Sequence, residues 1–137
     1  MTLRADRLGA QHRIERPRFG LPGEVLAGIG VTLLAAILRF WNLGYPQRLV
    51  FDETYYVKDA WTLWNTGSEK AWPQDANSAF EAGQVSGYLS DPSFVVHPPL
   101  GKWIIGFGMW LFGAENSYSW RITTAILGIA AVALVIA

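Results

Sequence analysis

The chain has 137 residues, 11 basic and 11 acidic side chains, two histidines and no cysteine. Its length suits about one domain, its zero net charge argues against a nucleic-acid binder, which would carry a basic excess, and the lack of cysteine excludes a disulfide framework or a thiolate zinc site. A mean hydropathy of +0.20 looks globular, but the average conceals segregation: residues 25–38, 103–114 and 122–137 carry no charge. With seven tryptophans besides, this is the pattern of an all-α membrane protein with a large polar loop rather than one soluble core.

Residues 1–20 hold Arg4, Arg7, Arg13, Arg16 and Arg18 against Asp6 and Glu15. They lack hydrophobic periodicity and read as a basic tail, cytoplasmic by the positive-inside rule. A first transmembrane helix follows over 21–44. Its apolar part is roughly 19 residues, about 28 Å at 1.5 Å per residue, close to the hydrocarbon thickness. Phe40, Trp41 and Tyr45 suit an interfacial aromatic belt, and Gly44 and Pro46 stop the helix. A secretory signal would place small residues at a cleavage site after its apolar core. Here Arg39-Phe40-Trp41-Asn42 follows, so the span reads as an uncleaved anchor.

Residues 45–98 should then form an outer loop. Arg48, Lys58 and Lys70 are outnumbered there by seven acidic residues. In it, Val57, Ala60, Trp61 and Trp64 recur at i, i+3, i+4 and i+7, which predicts an amphipathic helix over about 54–66. Two tryptophans on that stripe suggest a helix on the membrane surface, with Lys58, Asp59 and Thr62 on its other side and Gly67 as its stop. Residues 72–91 are rich in Gly, Ser, Asn and Asp and read as irregular loop. Phe94-Val95-Val96 reads as a short extended lead-in, since residues before proline avoid the α region. A second span over 99–114 starts at Pro98-Pro99. At roughly 15 residues, about 22 Å, it is short, with a re-entrant helix as the alternative. A third runs over 118–137 and meets the chain end with no cap, charge or following loop, as the N-terminal part of a larger polytopic protein would.

Three constellations could carry chemistry. A carboxylate of the Asp52-Glu53 pair could act as general base toward a hydroxyl at the membrane surface. Adjacent helical residues point about 100° apart, so the two cannot address one proton and must differ in role. The structural alternative is Asp52 as N-cap and Glu53 favouring the helix dipole. In His97-Pro98-Pro99-Leu100-Gly101-Lys102, the prolines fix the backbone where the chain re-enters the membrane. His97 and Lys102 there could bind a lipid phosphate, or be a surface histidine and a snorkelling lysine. Arg39, inside an apolar span, is a functional candidate by position. It could snorkel, or pair with Asp52 or Glu53 and hold the carboxylate ionised. Arg121 reads as a helix-end anchor, and Trp61 or Trp72 as packing residues or a sugar platform. No ligand spacing supports a metal site.

Together these segments resemble the N-terminal part of protein O-mannosyltransferases. The resemblance is carried by Leu38 to Pro46, by Phe51-Asp-Glu-Thr-Tyr-Tyr-Val-Lys-Asp-Ala60, and by Trp72-Pro-Gln-Asp-Ala-Asn77. Phe80-Glu-Ala-Gly83, His97 to Lys102 and Ser119-Trp-Arg-Ile122 add to it. It covers about residues 25–137. The string from Asp52 to Asp59 followed at this distance by His97 to Lys102 is its most specific part, and the compact form resembles actinobacterial members.

The resemblance implies a polytopic membrane glycosyltransferase of the GT-C type, multi-pass in the plasma membrane. The donor would be mannose on a polyprenyl phosphate, the acceptor a Ser or Thr hydroxyl of a secreted or membrane protein, and transfer would invert the anomeric centre with no cofactor and no essential metal. Asp52 matches the family's proposed base, Glu53 its acidic neighbour, Arg39 an important first-span arginine, and His97 and Lys102 its loop motif. Tyr55, Tyr56 and Arg121 are further candidates. About three spans without a complete donor pocket imply a fragment inactive alone. The alternatives are a polyprenyl-phosphate-sugar transferase with a lipid acceptor, of the aminoarabinose type, and a non-catalytic membrane adaptor.

Overall fold

The computed structural model describes residues 22–136; the basic tail expected over 1–20 lies outside the described residues. Five helices follow in chain order: α1 (Gly23–Phe40), α2 (Glu53–Thr66), α3 (Ala76–Glu81), α4 (Leu100–Phe112) and α5 (Ser117–Ile136). Among the described residues there is no strand, only an isolated bridge between Lys70 and Pro92.

Two helices, α1 with 18 residues and α5 with 20, are long and apolar enough to cross a membrane. At 1.5 Å per residue they reach about 27 and 30 Å, the thickness of a hydrocarbon core. α1 ends where Asn42 takes a left-handed backbone (φ 58°), one of the few non-glycine types that does so readily. α4, with 13 apolar residues, reaches only about 20 Å. Of the roughly three spans expected from hydropathy, two therefore have spanning length and the third is shorter.

The helices pack as a row, α1 on α5, α5 on α4 and α4 on α2. Glycine sets the spacing on both faces of α4. A Cβ on Gly106 would lie 3.0 Å from the Ala60 carbonyl of α2, and one on Gly108 would meet the Ser119 carbonyl of α5. The stripe expected on α2 exists, but protein covers it. Val57 and Ala60 are fully buried, and the Trp64 ring lies within 6.0 Å of Trp103, Phe107 and Trp110 of α4. The opposite side is buried too: Lys58, Asp59 and Thr62 are 6%, 6% and 0% exposed. α2 is thus a central helix with polar partners behind it, not one with a solvated polar face.

Residues 72–91, expected to be irregular, contain α3, whose Phe80 is fully buried between Trp72 and Trp120. Six residues are too few to show a helical period. The chain around α3 closes on itself: Ala71 N–H donates to Asp91 O at 2.9 Å, and Leu89 N–H to Ala71 O at 2.8 Å. The core joins Leu49, Val57, Ala60, Phe80, Met109, Ala114 and Trp120. It thereby fastens the polar loop to the ends of α4 and α5.

Candidate active site

The site is built at the start of α2. Phe51 precedes it with φ 52° and its ring 96% exposed. A bulky residue in the left-handed region is strained by about 1–2 kcal/mol, and such strain gathers where geometry serves function. Asp52 follows at the N-cap position, but its side chain makes no capping hydrogen bond. The expected cap is supplied by its backbone alone, whose carbonyl accepts from Tyr55 and Tyr56 N–H at 3.0 Å each. The Asp52 carboxylate is exposed and lines a cavity of about 630 Å³.

Glu53 is engaged where Asp52 is free. Its two oxygens accept from Arg121 Nε at 2.6 Å and Arg121 Nη2 at 2.7 Å, and Oε2 also accepts from Val50 N–H at 3.1 Å. The same guanidinium donates to the carbonyls of Leu43, Pro46 and Arg48 at 3.1–3.3 Å. Arg121 is therefore more than a helix-end anchor. It ties α5 to α2 and to the segment that leaves α1, a planar donor set that lysine could not reproduce. The neighbouring carboxylates thus have different surroundings: Glu53 is held by Arg121 and Val50 N–H, while the Asp52 side chain makes no capping hydrogen bond among the described residues.

Lys102 lies behind α2. It was expected to snorkel or to offer charge to a phosphate; instead it is 2% exposed. Its Nζ donates to Asp59 Oδ2 at 3.0 Å and to Glu69 Oε2, while Ser93 Oγ donates to Asp59 Oδ1 at 2.9 Å. With a carboxylate on each side its charge is spent inside the protein. Asp59 and Glu69 were not singled out in the sequence; the only signal was a lysine in an otherwise apolar helix. The Lys102 ammonium also sits 5.9 Å from the Tyr56 ring centroid, and Tyr56 packs against the exposed His97 at 5.4 Å. Lys102 and His97 therefore brace the Tyr56 side of the cavity.

Tyr55 and Tyr56 both line the cavity, with Lys58, Asp59, Trp72 and Lys102. Lys58 Nζ donates to Asn77 Oδ1 of α3 at 2.8 Å, and Asn77 Nδ2 to Thr54 Oγ1 at 3.4 Å. Burial pulls the Lys58 ammonium below the usual lysine range, against the opposing charge of Asp59. Lys58, placed by the sequence on the other side of the amphipathic stripe, is buried. Trp72, a candidate sugar platform, does line the cavity. Trp61 does not present its indole N–H to it, donating instead to Val85 O at 2.8 Å.

Arg39 is not brought to this cluster. Its exposed side chain lies across Gly128 of α5, where an added Cβ would come 2.6 Å from Nε. Of the two alternatives for Arg39, the pairing with Asp52 or Glu53 is not made, since Arg121 occupies Glu53 and α1 packs on α5 rather than on α2. Among the described residues, no group of three or more His, Asp or Glu side chains is placed to hold a metal ion.

A helical membrane-associated segment with a free carboxylate at the mouth of a cavity has clear relatives. The chain is 37% identical over 119 residues to the polyprenol-phosphate-mannose–protein mannosyltransferase of Mycobacterium tuberculosis, covering 85% of this chain and 19% of that protein. It is 40% identical over 109 residues to the protein of the same name from Mycolicibacterium smegmatis, covering 77% and 17%. It is also 34% identical over 89 residues to dolichyl-phosphate-mannose–protein mannosyltransferase 4 of Saccharomyces cerevisiae, covering 64% and 8%. No family model matches the chain, and no solved structure does. The chain belongs with the protein mannosyltransferases, and its similarity is to the actinobacterial polyprenol-phosphate-mannose members in particular. It spans about a fifth of the length of the curated relatives it matches.

Proposed function

We propose that this chain supplies the acceptor-activating part of a protein O-mannosyltransferase. The enzyme transfers mannose from a polyprenyl phosphate to a Ser or Thr hydroxyl of a secreted or membrane protein. The observation that carries this reading is the uncommitted Asp52 carboxylate at a cavity of about 630 Å³, beside a Glu53 held by Arg121. In the reaction the acceptor oxygen attacks the anomeric carbon as the bond from that carbon to the phosphate oxygen breaks. The electron pair leaves with the phosphate, the hydroxyl proton passes to Asp52, and the anomeric centre inverts. One base is enough, because the leaving group is already a phosphate and needs cationic stabilisation rather than a proton-donating acid. A glycosidase, by contrast, needs two carboxyls flanking the bond. Holding donor and acceptor in line supplies much of the acceleration.

Tyr55 and Tyr56 form the wall beside the base, and His97 and Lys102 organise that wall. Arg39 acts at the α1–α5 contact. The protein is a multi-pass plasma-membrane enzyme with residues 1–20 cytoplasmic, spans over 21–44, 99–114 and 118–137, and residues 45–98 outside. That arrangement keeps the lipid-borne phosphate at the depth of the cavity and lets acceptors be modified as they cross the membrane. The test is transfer from polyprenyl-phosphate-mannose to a Ser/Thr peptide by the full-length protein in membranes. The expected product is mannose on the hydroxyl with the anomeric configuration opposite to the donor's. Transfer to a lipid acceptor alone, or to neither, would contradict the proposal.

A further inference from the structure

Two lysines are buried beside the cavity, and they are not equivalent. Lys102 has a carboxylate on each side. Lys58, 6% exposed, has no carboxylate within ion-pair distance among the described residues. Its one hydrogen-bond acceptor is the neutral Asn77 amide. An ammonium has three donors, so two of its N–H groups have no protein partner among the described residues. Asp59, next in the chain, does not supply one, since Lys102 and Ser93 hold its oxygens. Burying an uncompensated charge is unfavourable unless a counter-charge arrives. A second donor in the same wall is also unanswered: Trp72 Nε1 is buried with no hydrogen-bond partner among the described residues, and Trp72 lines the cavity.

We propose that Lys58 is the anion-binding cation of this cavity, and that the anion it takes is the phosphate of the polyprenyl-phosphate sugar donor. This rests on the transferase reading above. The phosphodiester of the donor carries one negative charge. When the sugar leaves, the electron pair of the broken bond stays on the phosphate and gives it a second, so a fixed ammonium stabilises the departing group more than the bound donor. The cavity, about 630 Å³, has the size of a small-ligand site. Asp52 lines it together with Lys58, and the exposed apolar Phe94 and Val96 at its edge offer a surface for the first isoprene units. Asn77 is the positioning residue: its amide, tied to Thr54, orients the ammonium without neutralising it.

Variants at Lys58 and Asn77 separate the charge of the ammonium from its packing. Lys58→Gln in the full-length protein should raise the KM for polyprenyl-phosphate-mannose about 10- to 100-fold, the range for losing a charge-assisted hydrogen bond. It should weaken inhibition by the prenyl-phosphate product, which carries the second charge, by more. Lys58→Arg should recover part of both. Asn77→Asp keeps the lysine and gives it an internal counter-charge, so this variant should fold as well as the wild type yet lose donor and product affinity. If Asn77→Asp and Lys58→Gln fold and keep wild-type donor KM and product inhibition, the inference is overturned while the transferase reading stands. If the wild-type protein neither transfers mannose nor is protected against thermal unfolding by prenyl phosphate, both are overturned.

Discussion

Charged side chains in and around α2 are treated in two opposite ways. Three carboxylates are answered from within: Glu53 by Arg121, Asp59 and Glu69 by Lys102. Asp52 and Lys58, which line the cavity, are not: the Asp52 side chain makes no capping hydrogen bond, and Lys58 has only an amide. The difference separates paired from unpaired groups among charged residues lying next to one another in the chain. A carboxylate or ammonium neutralised inside the protein holds elements together and offers little to a substrate. One left unanswered beside a cavity is unfavourable for the empty protein and useful to a reaction.

Substitutions among the answered groups should show first as changes in stability. The largest loss is expected from Lys102→Met, which strands two buried carboxylates. Breaking a buried pair in this way destabilises by about 3–5 kcal/mol, readable as a lowered denaturation midpoint in detergent. Arg121→Gln removes both ionic hydrogen bonds to Glu53 from a partly exposed site, and about 1.5–3 kcal/mol should go with them. Comparing its unfolding midpoint with that of Glu53→Gln tests whether the two side chains act as one unit. Gly108→Ala presses a methyl group against the Ser119 carbonyl. α4 and α5 must then separate, costing about 1–3 kcal/mol by thermal melt. The smallest effect is expected at Gly67, which closes α2 with φ 76° and has open space around it. An alanine there meets only the left-handed backbone penalty of about 1–2 kcal/mol.

Much of the fold was legible because it follows from local pattern. The uncharged runs are α1, α4 and α5, and the Val57–Trp64 stripe is the side of α2 that packs on α4. Asp52 and Glu53 drew notice as a pair, and helix geometry alone required them to diverge. What could not be read was which distant residue answers which charge. Arg121 lies 68 residues from Glu53, and Lys102 lies 43 and 33 residues from Asp59 and Glu69. No periodicity encodes a contact over such separations. The burial of Lys58 was hidden for the same reason, since α3, which covers it through Asn77, is a six-residue helix inside a Gly- and Ser-rich stretch.

In the proposed reaction Asp52 takes the proton while Glu53 holds the fold. The direct measurement is mannosyl transfer to a Ser/Thr peptide by full-length Asp52→Asn, paired with its thermal unfolding midpoint. Loss of a general base should lower turnover about 10²- to 10⁴-fold, with an unfolding free energy within about 0.5 kcal/mol of wild type, as for an exposed substitution. Near-normal transfer by a folded Asp52→Asn protein would contradict the account.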